Sequence, residues 1–576
     1  MTEKSNTPLR LTLAHINDTH SYFEPTSLQL DLRLDGQRLQ PYVSAGGFAR
    51  IATRANQLRD EAARQQRGFL FLHAGDCFQG TLYFSLFKGK ANADLLNALN
   101  IDAMALGNHE LDMGNEPVAH FVERIQFPLL AGNWDLSGEN TEKAYRLQAH
   151  PRIHSFQPES ATAQWIQKVV DGEPLAIFGL SLDKMADISN PDPDTPFVDA
   201  VATARRTVAA IQAAGINKII LLSHLGYESD LALAEEVAGI SLIVGGHSHR
   251  LQGDFSDLGL DKDDDYGVRV NETYIVQAGY HALSIGHCHI DFAADGRVIA
   301  FQGQNELLLG RRLFLDASMS QTGSDDAYHA ARDYLHRHPQ TAVCQKAPNV
   351  HALLQDKYIP RVRKLQQQVI ATAEDRLRHV RIPDEKGASE LAPLVAESFY
   401  FAMNQRGMQV QFAIHNAGGV RNSLDAGAVS VADIAGKLLP FAVPIGVYDV
   451  SGGDIAAALE GAINNATNNG VEGTGTGSYP YAYRLSYDYD ASAPLGERIR
   501  NLSLYDEETG WQRVQKQQIY RGTSSAYTMK GKEGYDALLN MHGEGLVTSV
   551  SMADCFIELL DYDPQRLNRG VAAAQS

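Results

Sequence analysis

Up to Leu309 the chain alternates two kinds of pattern. Short, nearly continuous apolar runs occur at 11–16, 68–72, 101–106, 127–130, 175–182, 219–222 and 240–244. Between several of them lie stretches whose apolar residues recur at helical spacing, at 48–64, 199–214 and 231–237. Runs without polar alternation predict strands buried on both faces, and the amphipathic stretches predict helices packed outside them. The expected result is a layered α/β domain over residues 1–312.

Beyond that point the pattern changes. Residues 316–326 are small and polar, and 327–378 favours helix, broken near Pro339 and Pro360. Val350, Leu353, Leu354, Tyr358 and Ile359 fall at helical spacing, which predicts a helical connector over 313–378. From Arg381 a second α/β unit is expected over 379–576, with a helix at 390–404, a strand at 410–414 and a strand-rich tail. The glycine-rich stretch 473–477 lacks the lysine and hydroxyl residue of a phosphate-binding loop and reads as a mobile surface loop.

Composition narrows the function classes. With 576 residues the chain needs more than one core, and a formal charge of −19 argues against a nucleic-acid polymer or an anionic membrane surface as partner. Cys77, Cys288, Cys344 and Cys555 are dispersed, so neither a disulfide framework nor thiolate metal ligation is expected. No apolar leader precedes the first strand and no run reaches membrane-spanning length. The expectation is a cytoplasmic protein, or a periplasmic or secreted one had a leader been removed.

The residues after the strands carry the chemistry. Ile16 leads into Asn17-Asp18-Thr19-His20, Leu72 into His73-Ala74-Gly75-Asp76, and Leu106 into Gly107-Asn108-His109-Glu110. Leu222 leads into Ser223-His224, and Val244 into Gly245-Gly246-His247-Ser248-His249. Each alone reads as a turn or helix cap. Five at the carboxyl ends of strands, where open α/β sheets bind ligands, point to a site built of oxygen and imidazole donors. In extended segments, Asp18 with His20 and His247 with His249 would each face one side.

These motifs, in this order, resemble those of the calcineurin-like metallophosphoesterases. More narrowly, the chain is similar to the bacterial 5′-nucleotidase and UDP-sugar hydrolase family, with further similar phrases at 46–50, 131–134 and 275–279. The resemblance implies a four-layer sheet sandwich flanked by helices and two divalent ions, drawn from Zn, Mn, Mg or Co. One ion would be held by Asp18, His20, Asp76 and His249, the other by Asp76, Asn108, His224 and His247. The position of His249 is often Gln or Asn in the family. A hydroxide bridging the ions would attack phosphorus, while His109, steadied by Asp112, would stabilise or protonate the phosphoryl group. Glu110 is left a structural place.

The second half continues the resemblance. His415-Asn416-Ala417-Gly418-Gly419-Val420-Arg421 is similar to a nucleotide-pocket segment of the family, which implies roles for Asn416 and Arg421, with Arg381 or Arg378 as a further cation. Phe441 and Tyr535 correspond to the two aromatics that clamp the base. Ala442-Val443-Pro444 and Lys532-Glu533 depart from the family beside that clamp.

The function implied is a two-metal phosphoesterase acting on small nucleotides. UDP-sugar or dinucleotide pyrophosphatase, 2′,3′-cyclic nucleotide phosphodiesterase, and sulfur-ester or general phosphate-ester hydrolase are the alternatives. From another class, the same sequence fits a non-catalytic nucleotide-binding protein.

Overall fold

The computed structural model describes residues 8–34, 36–315, 326–440, 443–543 and 545–569. The chain divides into two compact units. The first comprises Met1–Gln79, Phe87–Ala186 and Pro191–Ile359, and the second Gly80–Leu86, Asp187–Asn190 and Pro360–Ser576. Among the described residues no helix is long and apolar enough to cross a membrane.

In the first unit the elements that frame the site are β1 (Leu9–Ile16), β2 (Tyr42–Ala45), α1 (Phe48–Arg64), β3 (Gly68–His73), β4 (Ala103–Ala105), β5 (Leu129–Ala131) and β6 (Glu173–Ser181). They are followed by α2 (Ala200–Ala213), β7 (Lys218–His224), α3 (Tyr227–Glu236), β8 (Leu242–Val244), β9 (Thr273–Val276), β10 (Ser284–Phe292) and β11 (Val298–Phe314). One sheet runs β5-β4-β3-β1-β10-β11-β2, and a second contains β6-β7-β8-β9. Strands β5, β4, β3 and β1 are parallel, as are β6 to β9, whereas β10, β11 and β2 join antiparallel.

Alternation of side chains assigns the layers. Leu11, Leu13, Leu70 and Leu72 from the first sheet pack with Leu175, Ile177, Ile220 and Leu222 from the second. The intervening residues Ala176, Phe178, Ile219 and Leu221 face outward onto Ala204, Val208 and Ile211 of α2 and Leu233 of α3. Helix α1 buries Phe48, Ile51, Ala55 and Leu58 and lies against β1 and β3. The unit is thus a helix–sheet–sheet–helix sandwich. Each fully buried leucine or isoleucine contributes about 1.5–3 kcal/mol by leaving water.

Parallel register delivers the loops to one edge. Ile16 lies opposite His73, His73 opposite Met104, and Ser181 opposite His224, so the segments after β1, β3, β4 and β7 leave at matching heights.

The connector differs from its sequence expectation. Helices Asp326–Arg337 and Pro348–Leu353 flank a short strand, Thr341–Val343, which pairs with β11; helix Ile359–Gln366 follows. The helical pattern stops there, because Val369–Ala373 (β12) is a strand. Residues 316–325 of the polar stretch lie outside the described residues. The division between units falls at Ile359 and Pro360, within the expected connector.

The second unit adds α4 (Ala392–Gln405), β13 (Phe412–Asn416), β14 (Gly427–Ser430), β15 (Pro444–Ser451), α5 (Gly452–Thr467), β16 (Pro480–Tyr483), β17 (Ile519–Ser525) and β18 (Leu546–Ser551). Its sheet runs β16-β13-β17-β15-β18, while β12 pairs with β14. Residues 473–477 form a surface loop, but Asn465 and Asn468 bond Thr474 and Gly473 and fasten it to the end of α5.

A buried ion pair joins α1 to β11. Arg54 donates to both Glu306 oxygens at 2.6 and 3.0 Å, and His287 Nε2 of β10 lies 3.2 Å from Glu306 Oε1. Burial raises the Glu306 carboxyl, but His287 and the Arg54 fork more than offset this and hold it at about 2. Glu306→Gln removes the buried carboxylate from Arg54 and leaves it only the more exposed Glu61, 3.0 Å from Nη1, so the cost is expected to fall below the ~3–5 kcal/mol of breaking such a pair outright. The expected result is a lower urea midpoint at neutral pH. Because the folded pKa lies below the unfolded value of 4.5, this stability is present above pH 4.5 and is lost as pH falls toward 2. The wild type therefore converges on the variant across that window, and a difference independent of pH would exclude the ionic explanation.

Candidate metal centre

The loops after β1, β3, β4 and β8, with His224 at the end of β7, bring all seven predicted donors together. Ligand atoms of Asp18, His20 and His249 lie within 4.8 Å of one another, and so do those of Asp76, His224 and His247. Asn108 Oδ1 joins the second group, 2.9 Å from His247 Nδ1 and 3.3 Å from His224 Nε2. In the first group His249 Nε2 is 3.3 Å from Asp18 Oδ1 and 3.2 Å from His20 Nε2.

The local backbone is not the extended one expected from the spacing. Asp18, His20, Asp76, His247 and His249 all adopt left-handed conformations, with φ between 45° and 73°. Such residues each cost about 1–3 kcal/mol and persist only where surrounding bonds hold them. Those bonds are present: Asp18 N donates to Gly75 O at 2.9 Å, His20 N to Asp76 O at 3.1 Å, and His247 N to the Asp18 carboxylate at 2.9 Å. Glycine is required beside them. A Cβ on Gly107 would lie 2.1 Å from Asp76 Oδ1, and one on Gly246 would lie 2.5 Å from Ala74 O and 3.0 Å from His224 Nδ1.

Side-chain bonds settle which nitrogen of each ring faces the site. His20 Nδ1 lies 3.0 Å from Phe78 O and His224 Nδ1 lies 2.7 Å from Ala74 O. A carbonyl only accepts, so Nδ1 carries a proton in both rings and Nε2 is the nitrogen turned to the site, where it offers a lone pair whenever the ring is neutral. Burial lowers His20 and His247 to about 4. Burial also disfavours charge on His224, yet Asp76 outweighs it and raises that ring to about 9. Burial raises Asp76, but His224 and His109 hold it well below the ordinary carboxylate value.

This donor set fits divalent cations. Asp18 and Asp76 are 0 % and 1 % exposed, and their ion-pair partners among the described residues are imidazoles, with no lysine or arginine. Two carboxylates, a carboxamide and four imidazoles suit borderline metals such as Zn and Mn. The four cysteines are buried and belong to neither group.

His109 stands beside the donors, its ring edge-on to His20 at 5.2 Å. Its Nδ1 lies 2.6 Å from Asp112 Oδ2, which also accepts from Gln79 Nε2 at 2.9 Å. Burial lowers His109, but Asp112 and then Asp76 override it and lift the ring to about 10. The Nδ1–H is thereby committed to Asp112.

Two roles exceed what the motifs indicated. Asn17 Nδ2 donates to Asp18 Oδ2 and to Gly279 O, both at 2.6 Å, while its Oδ1 accepts from Ala278 N. Glu110, 1 % exposed, accepts from Asp76 N, Cys77 N, Phe78 N and Gly107 N at 2.7–3.0 Å. One carboxylate thus ties the Asp76 loop to the Asn108 loop. Burial, with the Asp76 charge, pushes Glu110 up to about 7.

In the second unit, Asn416 ends β13 and accepts from Thr528 Oγ1 at 3.3 Å. Arg381 and Arg421 are exposed, and Arg421 donates to Gly418 O at 3.4 Å. Glu533, left-handed at φ 54°, is influenced by Tyr527, Arg381 and Asn416. Tyr535 is 1 % exposed and donates its hydroxyl to Ser478 O at 2.8 Å. A ring buried in the unit's core offers no stacking face, so the base clamp expected of Tyr535 is not formed in this conformation. Phe441 lies outside the described residues.

Comparison with known proteins follows the same division. The calcineurin-like phosphoesterase family matches residues 11–251, and the 5′-nucleotidase C-terminal domain matches residues 369–540. A Treponema pallidum protein named "Probable 5′-nucleotidase" is 30% identical over 550 residues, covering 92% of this chain and 87% of its own. The NAD 5′-nucleotidase of Haemophilus influenzae is 28% identical over 578 residues, covering 96% and 91%. The crystal structure of a 5′-nucleotidase precursor from Thermus thermophilus superposes with a TM-score of 0.64 at 30% identity, covering 96% of each chain.

Glu110→Gln keeps the shape but replaces one acceptor oxygen by a donor facing N–H groups. Each buried N–H left unsatisfied costs about 1–3 kcal/mol. The variant is expected to melt at lower temperature and to retain Mn²⁺ less well in equilibrium dialysis. Unchanged melting and retention would show that the Glu110 cap does not hold the two loops.

Proposed function

The chain belongs to the 5′-nucleotidase family of metal-dependent phosphoester hydrolases, and from that premise we propose that it hydrolyses nucleoside 5′-monophosphates at a centre of two divalent cations. The observation that carries this reading is the pair of donor groups, Asp18 with His20 and His249, and Asp76 with His224 and His247, the second joined by Asn108, with the His109–Asp112 pair beside them. Asp18, His20, Asp76 and His249 hold one ion, and Asp76, Asn108, His224 and His247 hold the other. When bound, such ions polarise phosphoryl oxygens and acidify water.

The chain's own residues supply the rest. Asp112, 2.6 Å from Nδ1, favours the protonated form of His109, which neutralises charge on the phosphoryl group through Nε2–H. The same proton is available to the departing ribose oxygen. Asp112 fixes the ring, and Gln79 fixes Asp112. In the second unit Arg381, Arg421 and Asn416 recognise the nucleotide, and Phe441 stacks on the base. Stacking is worth about 1–3 kcal/mol per base and tolerates different bases. Dinucleotides such as NAD form the second substrate class, which the similarity to the Haemophilus influenzae enzyme supports.

Phosphate release from AMP is expected to vanish with EDTA and return with Mn²⁺ or Zn²⁺. A panel of UDP-glucose, NAD, 2′,3′-cyclic AMP and p-nitrophenyl phosphate ranks the substrate classes. Activity on the aryl phosphate alone would overturn the nucleotide reading and leave the metal centre standing. His109→Ala is expected to keep its cations and lose about 10²- to 10⁴-fold in kcat. Full turnover by that variant would remove His109 from the chemistry.

A further inference from the structure

The imidazoles of the centre are not held alike. His20 and His224 are locked by backbone carbonyls, and His247 is held by its backbone N–H on Asp18 and by its Nδ1, 2.9 Å from Asn108 Oδ1. His249 has no such anchor. Its Nδ1 makes no hydrogen bond among the described residues, and its side chain is 39% exposed. An exposed histidine free to rotate would lose that freedom on taking a cation, and its affinity would suffer accordingly.

Beyond its Nε2, which lies 3.3 Å from Asp18 Oδ1 and 3.2 Å from His20 Nε2, the contacts that hold the ring are aromatic. Tyr280 stacks on His249, with centroids 5.1 Å apart and planes 19° from parallel. His281 and His20 meet its edges at 6.1 and 5.2 Å. His281 is itself stacked on Tyr22 at 3.9 Å and 16°, and its N–H donates to Asp18 O at 2.8 Å. The turn that presents Tyr280 is strained: His281 and Ala282 are consecutive non-glycine residues at φ 53° and 56°. It is also fastened, because Ala282 O accepts from Gly47 N at 3.1 Å and a Cβ on Gly46 would strike that oxygen at 2.4 Å. Tyr280 is 38% exposed, so core burial does not account for a large aromatic here. Its parallel placement on a donor ring does.

We propose that Tyr280 is a positioning residue for His249, pre-orienting its imidazole so that the cation position served by Asp18, His20 and His249 fills at low cation concentration. The stack does here what a carbonyl does for His20 and His224. The inference rests on the cation-centre reading above.

The test is Mn²⁺ binding to the full-length chain, followed by equilibrium dialysis with elemental analysis, for the wild type, Tyr280→Phe, Tyr280→Ala and His224→Ala. Removing groups that orient metal ligands typically weakens affinity about 10- to 100-fold. Tyr280→Ala is expected to weaken one class of site by that factor and leave the other unchanged, whereas Tyr280→Phe, which keeps the ring, binds as the wild type does. His224→Ala is expected to weaken the opposite class, which identifies the two. Wild-type binding in Tyr280→Ala overturns the inference, as does equal weakening in Tyr280→Phe, which would assign the effect to the hydroxyl. Equal loss at both classes with lower melting temperature would make Tyr280 merely structural and overturns it too. A wild type that binds no Mn²⁺ would remove the cation centre itself, and this inference with it.

Discussion

Two carboxylates, Asp18 and Asp76, are almost wholly withdrawn from water without a lysine or arginine against them. Burying a carboxylate costs several kcal/mol per ion even after relaxation, and here only imidazoles stand against the charge. Much of the first unit is arranged around that constraint. Parallel register brings the loops after β1, β3 and β7 to one edge, left-handed residues turn the donors inward, and glycines clear the space a Cβ would occupy. Imidazoles and carboxylates gathered in this way form a donor set that suits divalent cations.

The centre also divides labour among adjacent residues. In the run from Gly107 to Asp112, Asn108 joins the donors, His109 and Asp112 form a separate proton-bearing pair, and Glu110 turns away from both to cap four backbone N–H groups. Placing an ionisable cap next to a donor loop is costly, which the upward push on Glu110 records. The gain is that two loops from different strands are tied to a single carboxylate.

Much of this was legible in the sequence. The helix expected at 48–64 coincides with α1, and each donor follows an apolar run, because a buried parallel strand reads as a continuous apolar segment. Other features were not legible for physical reasons. Strands β10 and β11 extend the first sheet antiparallel and carry no donor at their ends, so nothing in their sequence tied them to the site. Residues 369–373 continued a helical pattern, yet pairing with β14 made them a strand. The burial of Tyr535 and the cap made by Glu110 depend on contacts between segments 57 and 32–34 residues apart, which local pattern does not report. The stack of Tyr280 on His249 depends on a left-handed turn at two non-glycine residues.

The most direct test of the account is an anomalous difference map from crystals grown with Mn²⁺. Two peaks are predicted, both adjoining the Asp76 carboxylate, one against Asp18, His20 and His249 and the other against Asn108, His224 and His247. A single peak, or peaks away from Asp76, would contradict it.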